Sequence, residues 1–118
     1  MQNVPSVDLT NCDREPIHIP GSIQPHGCLL ACDPEITSIR LYSANAPQML
    51  GAKGPMEGLW IADLLGEDVI HDIRNAVAAA PEASRPAVIA HLRLPTGQHF
   101  DVAVHRQKQG AILEFEPS

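Results

Sequence analysis

Cys12 places a nucleophile on a stretch of chain that has no fold of its own. It is followed by Glu15-Pro16-Ile17-His18-Ile19-Pro20-Gly21-Ser22-Ile23-Gln24-Pro25-His26-Gly27. Pro16, Pro20 and Pro25 fix their own φ angles and push the residues before them toward extended conformations, so neither a helix nor a hairpin fits. Residues 1–26 therefore read as an extended arm that needs another surface to lie against. The charges beside the thiol are mixed. Arg14 favours the thiolate, whereas Asp13 and Glu15 oppose it, so nothing local marks an unusually low pKa at Cys12.

The other chemically capable side chains read as structural. Cys28 and Cys32 fall four apart on an expected strand, on one face but about 13 Å apart at ~3.3 Å per residue, too far to bridge each other. Both are expected to be small core hydrophobes, and an odd total of three cysteines fits reduced thiols. His18 and His26 belong to the arm and suit backbone or interdomain hydrogen bonds. His71 belongs on a helix facing solvent, and His91, His99 and His105 lie on or beside strands without the clustered spacing of a zinc site. There is no Gly-rich phosphate loop, HExxH motif or nucleophile elbow, so an enzyme in its own right is not expected.

At 118 residues and 12.7 kDa the chain has room for one small core. A net charge of −6 with only 8 Lys+Arg, scattered along the chain, speaks against nucleic acid and against an anionic membrane surface. The four aromatic side chains, Tyr42, Trp60, Phe100 and Phe115, make no stacking platform for bases. No apolar run approaches the ~20 residues of a membrane span, and the start lacks a signal-peptide pattern, so a cytoplasmic location is expected.

From Gly27 the pattern turns to strand, with Cys28, Leu30 and Cys32 alternating with Leu29 and Ala31 before a turn at Asp33-Pro34-Glu35. Ile39, Leu41 and Ser43 continue as a second strand, pairing with the first as an antiparallel hairpin. Asn45 is placed to cap a short helical turn that stops before Gly51. A loop over residues 53–58 and an apolar stretch over 59–65 precede the longest helix, expected from about Glu67 to Ala80. Its buried stripe is Val69, Ile70, Ile73, Ala76, Val77 and Ala80. After a Pro/Ser-rich connector, three period-2 runs suggest a meander with one buried face: Val88, Ala90, Leu92 and Leu94; Phe100, Val102 and Val104; Ala111, Leu113 and Phe115.

The string Asn11 to Gly27 closely resembles the N-terminal lead of bacterial phytochromes, red and far-red photoreceptors that carry biliverdin, and the following 91 residues resemble in pattern the PAS domain behind that lead. The resemblance implies an α+β PAS fold over residues 27–118: a five-stranded antiparallel sheet of order 2-1-5-4-3 with helices on one face. It implies that Cys12 forms a thioether with a vinyl group of biliverdin. It further implies that Ile17, Ile19, Ile23, Gln24, Pro25 and His26 form an interdomain arm encircled by a loop of a following GAF domain, with Ile23 at the crossing. The three isoleucines could equally pack on this domain's own sheet. In the family the GAF domain supplies most of the bilin pocket, a PHY domain follows, and the full protein can be a histidine kinase. A chain of this length is then expected to be one module of a sensory protein, with a mobile arm or self-association into a homodimer where its partner would sit. The rival reading is a PAS interaction or small-ligand module, with His71 as the axial ligand of a haem.

Overall fold

A computed structural model describes residues 27–80 and 85–118. Strands β1 (Cys28–Cys32) and β2 (Ile39–Tyr42) are followed by helices α1 (Ala46–Leu50), α2 (Ile61–Leu65) and α3 (Glu67–Ala79), then by β3 (Ala87–Arg93), β4 (His99–Arg106) and β5 (Ala111–Pro117). The strands form one antiparallel sheet of order β2-β1-β5-β4-β3, the order the resemblance implies. The last strand lies beside the first, so β1 occupies an interior position between β2 and β5.

One face of this sheet carries the core. Cys28, Leu30 and Cys32 pack with Leu113, Phe115, Val102 and Val104 beneath Ala46, Leu50, Ile61, Leu65, Val69, Ile70 and Ile73 of the helices. Phe100 and Phe115 meet edge to face, with ring centroids 6.0 Å apart and planes at 87°. The stripe expected on α3 divides by depth: Val69, Ile70 and Ile73 are buried, while Ala76, Val77 and Ala80 are half-buried against the same core. Glu67 and Asp68 complement the positive end of the helix dipole. Between α2 and α3, Gly66 has φ +95° and ψ 150°, a region essentially reserved for glycine, and lets two helices meet without a loop.

Three local readings require correction, and each has a geometric cause. In β3, Ile89 pairs with Val102 and Leu92 with Phe100, so Ala90 and His91 together oppose Asp101. This bulge shifts the side-chain phase. Ala87 and Leu92 are buried and Ile89 packs against the core, whereas Val88 is 66% exposed and Ala90 is exposed. His91 takes φ +57°, and its N–H donates to Asp101 Oδ1 at 3.0 Å. In β2, a second register shift inserts Arg40 as an extra residue, so Leu41 opposite Ala31 and Ile39 opposite Cys32 lie on different faces instead of sharing one. Asn45 occupies the N-cap position of α1, but its side chain makes no capping bond.

Both sheet edges are guarded. The outer side of β2 is covered by backbone bonds from Ile39 N to Leu59 O, Gly58 N to Ile39 O and Ile61 N to Thr37 O. The bulge distorts the edge formed by β3.

The β1–β2 turn is held by one carboxylate. Asp33 Oδ1 accepts from the backbone N–H groups of Thr37 (2.7 Å) and Ser38 (2.8 Å), and Oδ2 accepts from Thr37 Oγ1 (2.6 Å). The turn holds Ile36 at φ +58°, an uncommon conformation for a β-branched residue, while burying its side chain. The Ile36 N–H donates to Asp33 O, and its carbonyl accepts from Arg74 Nη2 at 3.1 Å, fastening the turn to α3. Partial burial raises the Asp33 pKa, but the hydrogen bonds from Thr37 and Ser38 outweigh it and hold the group at about 2.

Two predictions follow from these packing arrangements. Asp33→Ala leaves two N–H groups without their acceptor and should cost about 1–3 kcal/mol, read as a fall in Tm of several degrees. Because the folded pKa is depressed, the Asp33 contribution is complete above about pH 4 and is lost as pH falls through about 2; the Tm difference between variant and parent should shrink over that window. Burial pushes both the Cys28 and Cys32 thiols up to about 12. Mass analysis after iodoacetamide treatment at neutral pH should therefore find both unmodified in the folded protein and modified once it is denatured.

Candidate functional site

All the site residues singled out from sequence, Cys12, Ile17, Ile19, Ile23, Gln24, Pro25 and His26, lie outside the described residues. The structure describes the base on which such an arm would stand. Gly27, where the arm enters the fold, is buried at the head of β1. Its carbonyl accepts a 2.8 Å hydrogen bond from Asn45 Nδ2, and Asn45 Oδ1 accepts from Ser43 Oγ at 2.6 Å. Ser43 Oγ in turn accepts from the backbone N–H of Leu29 at 3.0 Å, while the Ser43 N–H donates to Leu29 O at 3.0 Å. Ser43 is the buried polar residue of this region, and each of its groups has a partner. The expected helix cap at Asn45 is thus a clamp on the first described residue.

Sequence reasoning assigned Ser43 to a strand and Asn45 to a cap, and neither role points at Gly27. The two polar side chains where an apolar strand ends were the available signal, but the contact spans 18 residues of sequence.

The face of the sheet away from the helices has its own apolar centre. Leu41, Ala31 and Ile112 lie in register across β2, β1 and β5, and Leu29 lies opposite Glu114. Toward β4 the face becomes polar: His105 Nε2 stands 3.4 Å from Glu114 Oε1, and Asp101 accepts from Ser118 Oγ at 2.8 Å. The N–H of His91 and the Ser118 hydroxyl keep the Asp101 carboxyl below the usual range.

A cleft of about 220 Å³ lies between Leu65, Gly66, Glu67, Asp68, Val69, Arg93 and Pro95. It falls below the ~300 Å³ at which small-molecule pockets begin, and its charged lining combines Glu67 and Asp68 with Arg93. His71 is exposed on α3, away from the core, and offers no enclosed haem site. Of the other strand histidines, His91 and His99 are exposed, and His105 is paired with Glu114. No described helix is long and apolar enough to cross a membrane.

Comparison with known proteins agrees with this architecture. A family model described as a PAS fold matches residues 12–118. A bacteriophytochrome of Pseudomonas aeruginosa is 30% identical over 117 residues, covering 98% of this chain, and cyanobacterial phytochrome B of Nostoc sp. is 35% identical over 117 residues, covering 93%. The chain spans about 15% of the length of each of these relatives. Among solved structures, the chromophore-binding domain of the unusual bacteriophytochrome RpBphP3 from R. palustris superposes with a TM-score of 0.60 at 35% identity, over 90% of this chain and 35% of that one. With the family match running from Cys12 to the last residue, and phytochromes matching over most of its length, this chain belongs to the PAS-fold family and is similar to the PAS region of phytochromes.

Proposed function

We propose that this chain is the N-terminal PAS module of a cytoplasmic red/far-red photoreceptor, and that its Cys12 tethers biliverdin held mainly by a following GAF domain. Family membership supports the photoreceptor context. The observation that carries the tether assignment is the state of the other two thiols. Cys28 and Cys32 are buried in the core with pKa values pushed up to about 12, and Cys32 Sγ contacts Ala111 O at 3.4 Å. A thiolate is needed for addition, and neither residue supplies one at neutral pH. Cys12 is the remaining candidate.

The proposed chemistry is an addition. The Cys12 thiolate forms a carbon–sulfur bond to one vinyl carbon of the pigment, and the other vinyl carbon takes up a proton. No oxidant is required. On this reading the domain contributes an anchor and a mechanical base, and the following GAF domain supplies the pocket. Ile17, Ile19, Ile23, Gln24, Pro25 and His26 then serve as the interdomain strap, and a GAF loop closes over it. GAF and PHY domains of the same longer chain are the intended partners, and the module acts in sensing rather than catalysis.

The test is the intact mass of denatured protein after incubation with biliverdin, using a longer chain that includes the GAF domain. The parent should gain the mass of one pigment, and Cys12→Ser should gain none while still binding pigment noncovalently. Retention of the covalent mass by Cys12→Ser would refute the tether assignment.

A further inference from the structure

Asn45 stands at the N-cap of α1 and does not cap it. Asparagine is among the residues that most favour that position, because its side-chain oxygen can accept from the free N–H groups of a first helical turn. Here Oδ1 is taken by the Ser43 hydroxyl at 2.6 Å, and Nδ2 reaches back across 18 residues of sequence to the Gly27 carbonyl at 2.8 Å. The same Nδ2 meets Met49 Sδ at 3.5 Å, so the whole amide is engaged away from the helix end. A side chain that forgoes its local role points to a functional constraint.

The clamp lies where β1 and β2 part. Leu30 pairs with Tyr42, the last residue of β2, and the chain then turns into α1, with the Ala46 N–H donating to Ser43 O. Residues 43–45 carry the pairing further along β1 after the strand itself has ended. The Ser43 N–H donates to Leu29 O, Ser43 Oγ accepts from the Leu29 N–H, and Asn45 Nδ2 donates to Gly27 O. On the other side of β1, pairing with β5 begins at Cys28 opposite Phe115. The bond at Gly27 O thus extends the fixed backbone one peptide beyond the strand, to the residue at which the arm joins it. An amide suits this place because it offers an acceptor to Ser43 and a donor to Gly27 at once, whereas a carboxylate would set oxygen against oxygen.

We propose that Asn45 is a positioning residue for pigment attachment: by holding the Gly27 carbonyl it fixes the point from which the chain bearing Cys12 starts, and so raises the frequency with which the thiol meets the bound vinyl group. This role rests on the tether reading of Cys12. Without the bond the pivot withdraws into β1, because strand ends open more readily than interiors, and Gly27 is free to swing over the wide φ/ψ range of glycine. Pro16, Pro20 and Pro25 lie between Cys12 and Gly27, and their fixed φ angles pass a displacement of the root up the chain with less dilution than freely rotating residues would. A thiol without unusual local electrostatics gains most from such confinement. One net hydrogen bond favours the held root over the released one by roughly fivefold, which sets the size of the effect.

The test separates attachment from binding in a longer chain that includes the GAF domain. Asn45→Asp keeps a residue suited to an N-cap while turning the donor toward Gly27 into an acceptor. At saturating biliverdin, its first-order gain of covalent pigment mass should be roughly three- to fivefold slower than in the parent. Noncovalent affinity, compared in the Cys12→Ser background with and without Asn45→Asp, should be the same. Asp33→Ala, which loosens the opposite end of the same hairpin, should attach pigment at the parental rate and so exclude lost stability as the cause. A Cys12-dependent adduct formed by Asn45→Asp at the parental rate would overturn the role of Asn45 and leave the tether reading standing. So would an equal slowing in Asp33→Ala, or a loss of noncovalent affinity that matches the loss of rate. Covalent mass retained by Cys12→Ser would instead remove the tether reading, and the role of Asn45 with it.

Discussion

The arrangement depends on the burial of β1 on both faces. Cys28, Leu30 and Cys32 face the helices, Leu29 and Ala31 face away, and all five are nearly inaccessible to water. An interior strand of this kind is pinned by backbone bonds to β2 and β5 and by packing above and below. A one-residue slip would exchange its two faces. Because residues 1–26 join this strand directly, the arm has the least movable part of the sheet as its root. The Asn45–Ser43–Leu29 hydrogen bonds make that root still more definite.

Function on this account is divided between a reactive residue and a scaffold that avoids competing with it. The scaffold keeps its own thiols protonated by burial. A carboxylate network at the β1–β2 turn and a bulged edge strand keep the sheet in one register without lending it reactivity. Positioning is what such a domain can contribute: a nucleophile with no unusual local electrostatics becomes effective when its tether limits where it can be.

Much of the fold was legible because local pattern and tertiary role agree in its regular parts. The three- and four-residue spacing of Val69, Ile70 and Ile73 marks the inner face of α3, and the alternation of Phe100, Val102 and Val104 survives intact in β4. The strand order came from the resemblance of the arm and the domain to phytochromes rather than from periodicity. The alternation of β3 fails at Ala90 and His91 because a bulge is a property of the pair, set by how β3 meets Asp101, and no pattern in β3 alone contains it. Arg40 similarly puts Ile39 and Leu41 on different faces. The uninterrupted apolar run Cys28–Cys32 did carry a signal of two-sided burial, although the alternation reading treated the strand as one-faced. The spacing of Cys12 from its proline string is local and can be read as a motif, whereas the clamp on Gly27 joins residues that only the folded sheet brings together.

The most direct measurement is a tryptic peptide map of the longer, GAF-containing chain after loading with biliverdin. Cleavage after Arg14 separates Cys12, in the peptide 1–14, from Cys28 and Cys32, in the peptide 15–40. The account predicts that the pigment mass travels wholly with residues 1–14. Pigment on residues 15–40, or on any peptide beyond residue 118, would contradict it.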